Sequence, residues 1–312
     1  MLTWNLSARV SLDERGDEIL SRSMEEEADW WFELLFDLLS FIYDKRSLDQ
    51  IKENLESGTV ESVNFALEML DIVIDDEIKP RLNALLDVVP AGEKLKNLFR
   101  FYPGDIPAYE PLVSELVNKD YNEVGVWTKA CAIRSLGRLE PPAKTDFLVA
   151  LLFSGHRMLR EESCYYLDNN FEQVYEKCSD RLPADYREQL NILVNGDFDE
   201  NDLIYVKLKS LSRVFEDIAE TDLAALAEKV LLVKQGDDQT LPGDYLAWPV
   251  DNSDGKELRF NWGMAGSVIT GDAFPGRSYY ILPLRDLESF IFYNERLSKA
   301  MMSCLDKKLN DG

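Results

Sequence analysis

His156 is the only histidine in the chain. Histidine is the side chain whose ordinary pKa best suits acid–base catalysis near neutral pH. A Ser-His-Asp or Cys-His arrangement would have to use His156, and a metal site built from several histidines is excluded. The residue follows Ser154-Gly155 at a predicted helix start, where a polar surface residue is ordinary. We therefore expect no catalytic role for His156.

One acidic segment has a spacing that imitates a calcium-binding loop. Residues Asp197 to Asn201 match the opening of an EF-hand, which needs glycine at its sixth position and a bidentate glutamate at its twelfth. Those positions hold Asp202 and Leu208. The sequence therefore predicts no calcium site here, and it predicts Asp202 as a helix cap.

A second acidic group, Asp71, Asp75, Asp76 and Glu77, clusters at the end of a predicted helix. Such a cluster could bind a divalent cation or take part in acid–base chemistry. It is also typical of a solvated turn between helices, and we favour that interpretation. No metal site is predicted from it.

The remaining motifs lack the context that their chemistry needs. Gly263, Gly266 and Gly271 are framed by no dinucleotide-binding or Walker A motif, so they predict turns in a small β-structure. The chain has four cysteines: Cys131, Cys164, Cys178 and Cys304. None is in a C-x-x-C pair, which indicates reduced thiols in a cytoplasmic setting. The sequence thus assigns no catalytic, cofactor-binding or metal-binding residue, and no cofactor.

The composition is that of a folded, acidic protein. The 312 residues include 34 Lys+Arg and 58 Asp+Glu, a formal net charge of −24, and 46% are hydrophobic. This charge disfavours nucleic acid and favours a protein partner with a basic surface. The most apolar stretch, Trp30 to Tyr43, contains Glu33 and Asp37, so we expect no insertion into a membrane.

The first two-thirds of the chain has helical periodicity. The stretch from Leu12 to Tyr43 contains no proline. Helical spacing is seen for a set of its apolar residues: Trp31, Leu34, Leu35, Leu38, Leu39 and Ile42. The spacing predicts that these residues face the core. Trp30, rotated about 100° from Trp31, is then predicted to be exposed, where it could anchor a partner.

A small residue followed four positions later by leucine recurs three times. The segments are Ala66 to Leu70, Ala132 to Leu136 and Ser163 to Leu167. Each is followed by a second predicted helix with its own apolar stripe. One such pair cannot bury its apolar face, so the pairs must stack. The pattern predicts an α-solenoid over residues 1–200, and the alternative is an irregular helical bundle.

The segment from Phe32 to Val89 contains an NLESG turn followed by an ALEMLD helix. It resembles the HEAT-bearing soluble region attached, in bacteria, to transporters of the ATP/ADP translocase type. The resemblance implies a HEAT-like or armadillo-like fold. It also implies a regulatory part, or a stand-alone relative, of a nucleotide transporter.

The last third changes character near Gly196 to Asn201. Glycines and prolines become dense after Gly236, and short apolar alternations predict strands. These predicted strands are Tyr245 to Val250, Glu257 to Trp262, Ser267 to Thr270 and Tyr279 to Leu284. Helix is predicted again from Asp286 to Leu309. We therefore predict a small mixed α+β domain over residues 201–312.

Two segments of this tail resemble a cyclic-nucleotide-binding domain. The first is the helical lead from Leu208 to Lys229. The second is Leu284 to Phe290, which resembles the end of a strand that enters the last helix of that family. The family's phosphate-binding cassette needs a glutamate and an arginine close together after a glycine. The nearest glycine turn is Gly271 to Phe274, and Arg277 follows it without the acidic residue. The resemblance therefore implies a shrunken β-roll and transfers no binding residue.

Taken from the sequence alone, the favoured function is a non-enzymatic interaction or regulatory scaffold that binds a protein partner. The alternative is a nucleotide or small-molecule sensor that acts through the C-terminal domain. An enzyme would need a carboxylate-only or cysteine-based site, and the sequence indicates none.

Overall fold

A computed structural model describes residues 1–139, 146–194, 199–215, 218–234, 239–240, 243–250, 261–263, 268–269, 278–293 and 298. The packing of Cα atoms divides the chain into two compact units, Met1–Leu139 and Glu140–Gly312. This division does not coincide with the change of composition near residues 196–201, and the domain boundary predicted there stays a prediction.

Unit 1 is entirely described and entirely helical. Its helices are α1 (Leu2–Arg15), α2 (Glu18–Leu39), α3 (Lys45–Glu56), α4 (Val60–Val73), α5 (Lys79–Leu86), α6 (Ala91–Leu98), α7 (Tyr109–Asn118) and α8 (Val126–Leu136). Neighbouring helices pack as pairs, α1 with α2, α3 with α4, and α7 with α8, while α2 also packs against α8.

Short-range signals set several helix ends in unit 1. Asp44 accepts a hydrogen bond from the Ser47 N–H at 2.9 Å and opens α3. Thr59 accepts one from the Ser62 N–H at 3.2 Å and opens α4, in keeping with the preference of threonine for this position. Gly16, with φ of 76°, ends α1. The periodicity of the sequence did not predict this break, which requires the left-handed conformation that glycine adopts without a steric penalty.

The buried face of α2 differs from the predicted one. Phe36 and Leu39 are buried, whereas Leu38 is 54% exposed and Ile42 is 69% exposed. The predicted stripe is therefore wrong at Leu38 and Ile42. Apolar residues lie on most faces of this stretch, so its periodicity allows the helix to turn either of two faces toward the core. Packing against α3, α4 and α5 selects one of these two faces.

Unit 2 combines helices with a small sheet. Its described helices are α9 (Asp146–Leu151), α10 (Arg157–Asn170), α11 (Glu172–Ser179), α12 (Ala184–Val194), a 3₁₀ turn (Glu200–Asp202), α13 (Ile204–Val214), α14 (Glu220–Ala227) and α15 (Leu284–Tyr293). Its described strands are β1 (Leu231–Val233), β2 (Gln239–Thr240), β3 (Tyr245–Pro249), β4 (Asn261–Gly263), β5 (Val268–Ile269) and β6 (Tyr279–Pro283).

The larger sheet has the strand order β1-β6-β3-β4, and all of its neighbours are antiparallel. β2 and β5 form a separate antiparallel pair. The Trp248 indole N–H donates to Ser210 Oγ at 2.9 Å, and the Tyr280 hydroxyl donates to the Asn201 carbonyl at 2.8 Å. The two central strands are thereby joined to α13 and to the 3₁₀ turn.

Two local expectations for the tail are wrong. The segment from Leu284 to Phe290, expected as a strand end, lies within α15. The segment Thr221 to Leu223 predicts a capped helix start, but α14 begins at Glu220 after Ala219, so Thr221 lies inside the helix and does not cap it. The predicted strand residues Glu257 to Phe260, and the predicted helix beyond Tyr293 apart from Ser298, lie outside the described residues.

The recurring small residues do lie in the interior: Ala66, Ala132 and Ser163 are all fully buried. Their helices pack differently, however. α4 and α8 pack most extensively against the preceding helix, whereas α10 packs against the two helices that follow it. The architecture is mainly helical with a small sheet, and the regular solenoid stays a prediction. None of the described helices is both long and apolar enough to cross a bilayer.

Candidate functional site

The side chains that the sequence analysis considered for chemistry do not assemble into a site in the described part of the chain. His156 is exposed and occupies the position before α10, where its backbone N–H donates to Ser154 Oγ at 3.1 Å. Among the described residues, no group of three or more His, Cys, Asp or Glu side chains could hold a metal ion. Gly266 and Gly271 lie outside those residues.

The described part of the EF-hand-like segment has a structural role. Asp199 accepts hydrogen bonds from the backbone N–H of Asn201 at 3.0 Å and from its amide nitrogen at 2.7 Å, and so caps the 3₁₀ turn. Asp202 forms an ion pair with Lys207. It does not cap α13, which is a correction to the sequence interpretation. The residue that performs that function, Glu161, lies on α10.

Buried carboxylates cap the starts of two distant helices. Glu27 accepts from the Gly125 N–H at 2.6 Å and from Thr128 Oγ1 at 2.8 Å, at the start of α8. Glu161 accepts from the Ile204 N–H at 2.9 Å, at the start of α13. Burial raises the pKa of Glu161, while its ion pair with Arg157 opposes that shift. Helix starts carry unsatisfied N–H groups and a partial positive charge, which these carboxylates balance.

A buried lysine caps the end of a helix, as the buried carboxylates cap helix starts. Lys129 is 2% exposed, and its ammonium donates to the carbonyls of Val117 at 3.0 Å, Leu116 at 3.5 Å, and Lys119. These are the carbonyls that the end of α7 leaves without helical partners. Burial lowers the pKa of Lys129 to about 8. A low pKa marks some catalytic lysines, but here the geometry accounts for the burial as helix capping.

Asp17 is the most connected buried acid of unit 1. It is 3% exposed and caps α2. It also accepts from the Tyr109 hydroxyl at 2.8 Å and from Ser135 Oγ at 2.5 Å. Burial, followed by the bond to Asp17, raises the pKa of Tyr109 to about 12. Asp17 therefore joins the start of α2 to the start of α7 and the end of α8.

The environment of the Cys164 thiol does not favour nucleophilic chemistry. It is fully buried, and burial raises its pKa well above the ordinary range of a thiol. A thiol held in its protonated form is a poor nucleophile. The buried ionisable groups described above thus have a role in holding helices together.

The outer surface of unit 1 carries a different feature. Seven large apolar side chains on α2, the turn after it and α4 are exposed. Apart from Trp30 and Val60, five remain: Leu38 54%, Phe41 84%, Ile42 69%, Phe65 53% and Ile72 84%. Large apolar side chains grouped at a surface mark interaction sites more often than scattered ones do. We call these five residues, with the carboxylates beside them, the acidic–apolar surface.

Two observations connect the parts of this surface. Phe65 and Ile72 are seven residues apart on α4, two helical turns, so they share one face. The Tyr43 hydroxyl, next to Ile42, donates to the Asp75 carboxylate at 3.1 Å. This bond ties the turn that carries Phe41 and Ile42 to the end of α4, close to Ile72.

The charges around these residues are predominantly acidic. The exposed carboxylates near them are Asp37, Glu68, Asp71, Asp75, Asp76 and Glu77. Lys79 is the nearby cation of the α4–α5 turn, and its ammonium already contacts the Asp71 carbonyl at 2.8 Å and Asp76 Oδ1 at 3.1 Å. Lys45 and Arg46 are exposed at the start of α3 and reduce the acidity on that side.

Trp30 is 54% exposed, which confirms the sequence prediction. It packs edge-on against Trp31 with ring centroids 4.8 Å apart, two helical turns before Leu38. The rest of the surface was missed because the apolar residues of α2 were expected in the core. The signal that could have found it is the excess of apolar residues in α2, more than one buried face can use.

No protein-family model, curated protein or solved structure matches this chain. The structure itself defines a mainly helical protein with a small antiparallel sheet. The resemblances to HEAT regions and to cyclic-nucleotide-binding domains stay predictions. The glycine turn from Gly271 to Phe274, and Arg277, lie outside the described residues.

Proposed function

We propose that this protein is an interaction module that binds a basic, amphipathic segment of a partner protein through the acidic–apolar surface. The observation that carries the proposal is the combination of exposed side chains such as Phe41 and Ile72 with exposed carboxylates on packed helices. The described ionisable groups that are buried in unit 1 act as helix caps, which supports binding over catalysis.

The physical reason for a partner lies in the apolar side chains. Full burial of a large apolar side chain is worth about 1.5–3 kcal/mol relative to exposure. Phe41 and Ile72 are each 84% exposed, so most of that gain is left for a partner to supply. Lysine and arginine beside the contact would meet the carboxylates favourably, whereas an acidic partner would be repelled.

The resemblance of Phe32 to Val89 to transporter-associated HEAT regions suggests where such a segment could come from. Loops on the cytoplasmic side of membrane proteins are rich in lysine and arginine. A regulatory role on a nucleotide transporter, in the cytoplasm, is thus compatible with the proposed chemistry. The alternative of a nucleotide sensor gains no support from the described residues of the sheet.

The proposal is tested with a lysine–leucine amphipathic peptide of about 18 residues, long enough for five helical turns. Fluorescence anisotropy measures its binding to the full chain at about 0.05 M and about 0.5 M salt, because screening weakens charge pairs at the higher concentration. We expect binding that weakens with salt. We expect much weaker binding of a scrambled peptide of the same composition, and none of a glutamate–leucine version.

The double variant Phe41→Ser with Ile72→Ser should weaken binding about tenfold or more, the scale of hot-spot residues. Its matched control is Ile192→Ser with Phe292→Ser, two side chains that are 63% and 82% exposed in unit 2, and its affinity should be unchanged. Equal affinities for both double variants would contradict the proposal. So would concentration-dependent dimerisation that only Phe41→Ser with Ile72→Ser abolishes, because the surface would then belong to a second copy.

A further inference from the structure

Unit 1 also contains a cavity of about 470 Å³, separate from the residues of the acidic–apolar surface. It lies between the first turns of α1, the last turns of α2, helix α5 and the segment from Leu98 to Asp105. Pockets that bind drug-sized molecules have volumes of roughly 300–1,000 Å³. The cavity is therefore large enough for a small molecule of moderate size.

The wall of the cavity is mostly apolar. Aromatic rings come from Trp4, Phe99 and Tyr102, and aliphatic side chains come from α2, α5 and α6, including Leu85. The Phe99 ring packs closely on Gly104, where a Cβ atom would lie 3.2 Å from the ring. A wall of this kind suits an apolar body with aromatic or aliphatic character.

Two charged side chains give the cavity its polarity. Arg81 lines it from α5, and Asp105 lines it from the loop after α6. The Arg81 guanidinium uses one N–H on the Glu77 carbonyl at 2.7 Å and lies 5.9 Å from the Phe101 ring centroid. No carboxylate among the described residues forms an ion pair with Arg81. A guanidinium has five N–H donors, so it retains donors that could bind a carboxylate.

From these features we infer that the cavity binds an amphipathic monocarboxylate, with its apolar body against the aromatic and leucine wall and its carboxylate on Arg81. Asp105 is exposed, and its negative charge opposes an anion at the mouth. The two charges thus have opposite effects on the affinity for an anion, so the removal of each charge should change that affinity in the opposite direction. The site is independent of the proposed interaction with a basic partner.

The test measures binding of decanoate, decanol and decylamine to the full chain by isothermal titration calorimetry, below the micelle concentration of each. The chain carries its purification tag at the C-terminus, because Met1, Leu2 and Thr3 line the cavity. We expect one decanoate per chain, bound about tenfold more tightly than decanol, since hydrogen bonds to a charged group are roughly twice as strong as neutral ones. Decylamine should bind more weakly than decanoate.

Substitutions locate the site. Leu85→Trp fills the cavity and should abolish decanoate binding, whereas Ile192→Trp, at an exposed position of unit 2, should leave binding unchanged. Arg81→Gln should weaken decanoate binding about tenfold and leave decanol unchanged, while Arg46→Gln, an exposed arginine of α3, should have no effect. Asp105→Asn should strengthen decanoate binding and weaken decylamine binding.

The pair Arg81→Gln and Asp105→Asn decides the matter even if circular dichroism shows that Leu85→Trp does not fold. The inference is overturned if decanoate fails to bind or if its affinity is the same in a folded Leu85→Trp variant. It is also overturned if decylamine binds as tightly as decanoate, or if the two charge substitutions leave decanoate affinity unchanged.

Discussion

Replacing Asp17 by asparagine tests whether a buried carboxylate holds three helices of unit 1 together. The substitution keeps the shape of the side chain but leaves one oxygen acceptor where the carboxylate uses two. Oδ1 of Asp17 accepts from the Leu20 N–H at 3.5 Å, and Oδ2 accepts from the hydroxyls of Tyr109 and Ser135. The substitution removes the negative charge that accepts from the Tyr109 hydroxyl and from Ser135 Oγ. It also introduces an NH₂ group, which takes the place either of Oδ1 at the Leu20 N–H or of Oδ2 at both hydroxyls.

The expected cost follows from those two bonds. A hydrogen bond to a charged group contributes about 1.5–3 kcal/mol, against about 1 kcal/mol for a neutral one. With the amide oxygen at the two hydroxyls, both bonds become neutral, a loss of about 1 kcal/mol each. The NH₂ group then faces the Leu20 N–H, and loss of that long cap bond costs up to about 1 kcal/mol more. The sum is about 2–3 kcal/mol. Arg138 adds little to this figure, because it is 59% exposed and 3.6 Å away from Asp17.

The assay combines thermal unfolding with hydrogen exchange read by mass spectrometry, which assigns the loss of protection to peptides of α2, α7 and α8. The midpoint of thermal unfolding should fall by about 6–10 °C for a unit of this size. The matched control is Asp44→Asn, an exposed cap of α3 that accepts from the Ser47 N–H at 2.9 Å. This control should change the free energy of unfolding by less than about 0.5 kcal/mol.

A double-mutant cycle with Tyr109→Phe isolates the bond between Asp17 and Tyr109. The two substitutions together should cost about 1 kcal/mol less than the sum of the single costs, because they remove the same interaction. If Asp17→Asn were as mild as Asp44→Asn, or if the cycle gave no coupling, the reasoning about this buried acid would be refuted.

Two further outcomes are expected. The pKa of Lys129 is about 8 in the folded state against an ordinary value of 10.5. The stability of the native chain relative to Lys129→Met should therefore be flat below pH 8 and rise between pH 8 and about pH 10. Urea unfolding midpoints across that range measure this difference, and a fall in it would contradict the prediction. Gly16→Ala should destabilise the protein by about 1–2 kcal/mol, because φ is 76° at this position. Gly92→Ala, within α6 and with no atom near the added Cβ, should stabilise the protein by up to about 1 kcal/mol. Thermal melting of both variants measures these effects, and equal shifts of the two melting temperatures would contradict the prediction.

Much of the secondary structure was accessible from the sequence because its signals act over a few residues. Thr59 and Ser62 open α4, Pro80 lies in the first turn of α5, and the alternation from Tyr245 forms β3. Trp30 was placed correctly at the surface. These signals are local, so they operate before any tertiary contact forms.

The candidate surface was not accessible in the same way. The apolar residues of α2 cover most of the helix circumference, so both orientations satisfy helical periodicity. Packing with α3 to α5 buries Phe36 and Leu39 and leaves Leu38 outside. The sequence indicated an acidic protein rich in apolar residues, but it could not indicate which apolar residues would remain exposed for a partner.

The amino-acid sequence by itself determined the helical character, the acidic charge and the local helix starts, since each depends on composition or on neighbours within one turn. Only the tertiary structure decided how the buried charges are used. Glu27 is 98 residues from Gly125, and Glu161 is 43 residues from Ile204. A hydrogen bond forms only at about 3 Å, and no pattern along the chain shows which distant residues folding brings within that distance.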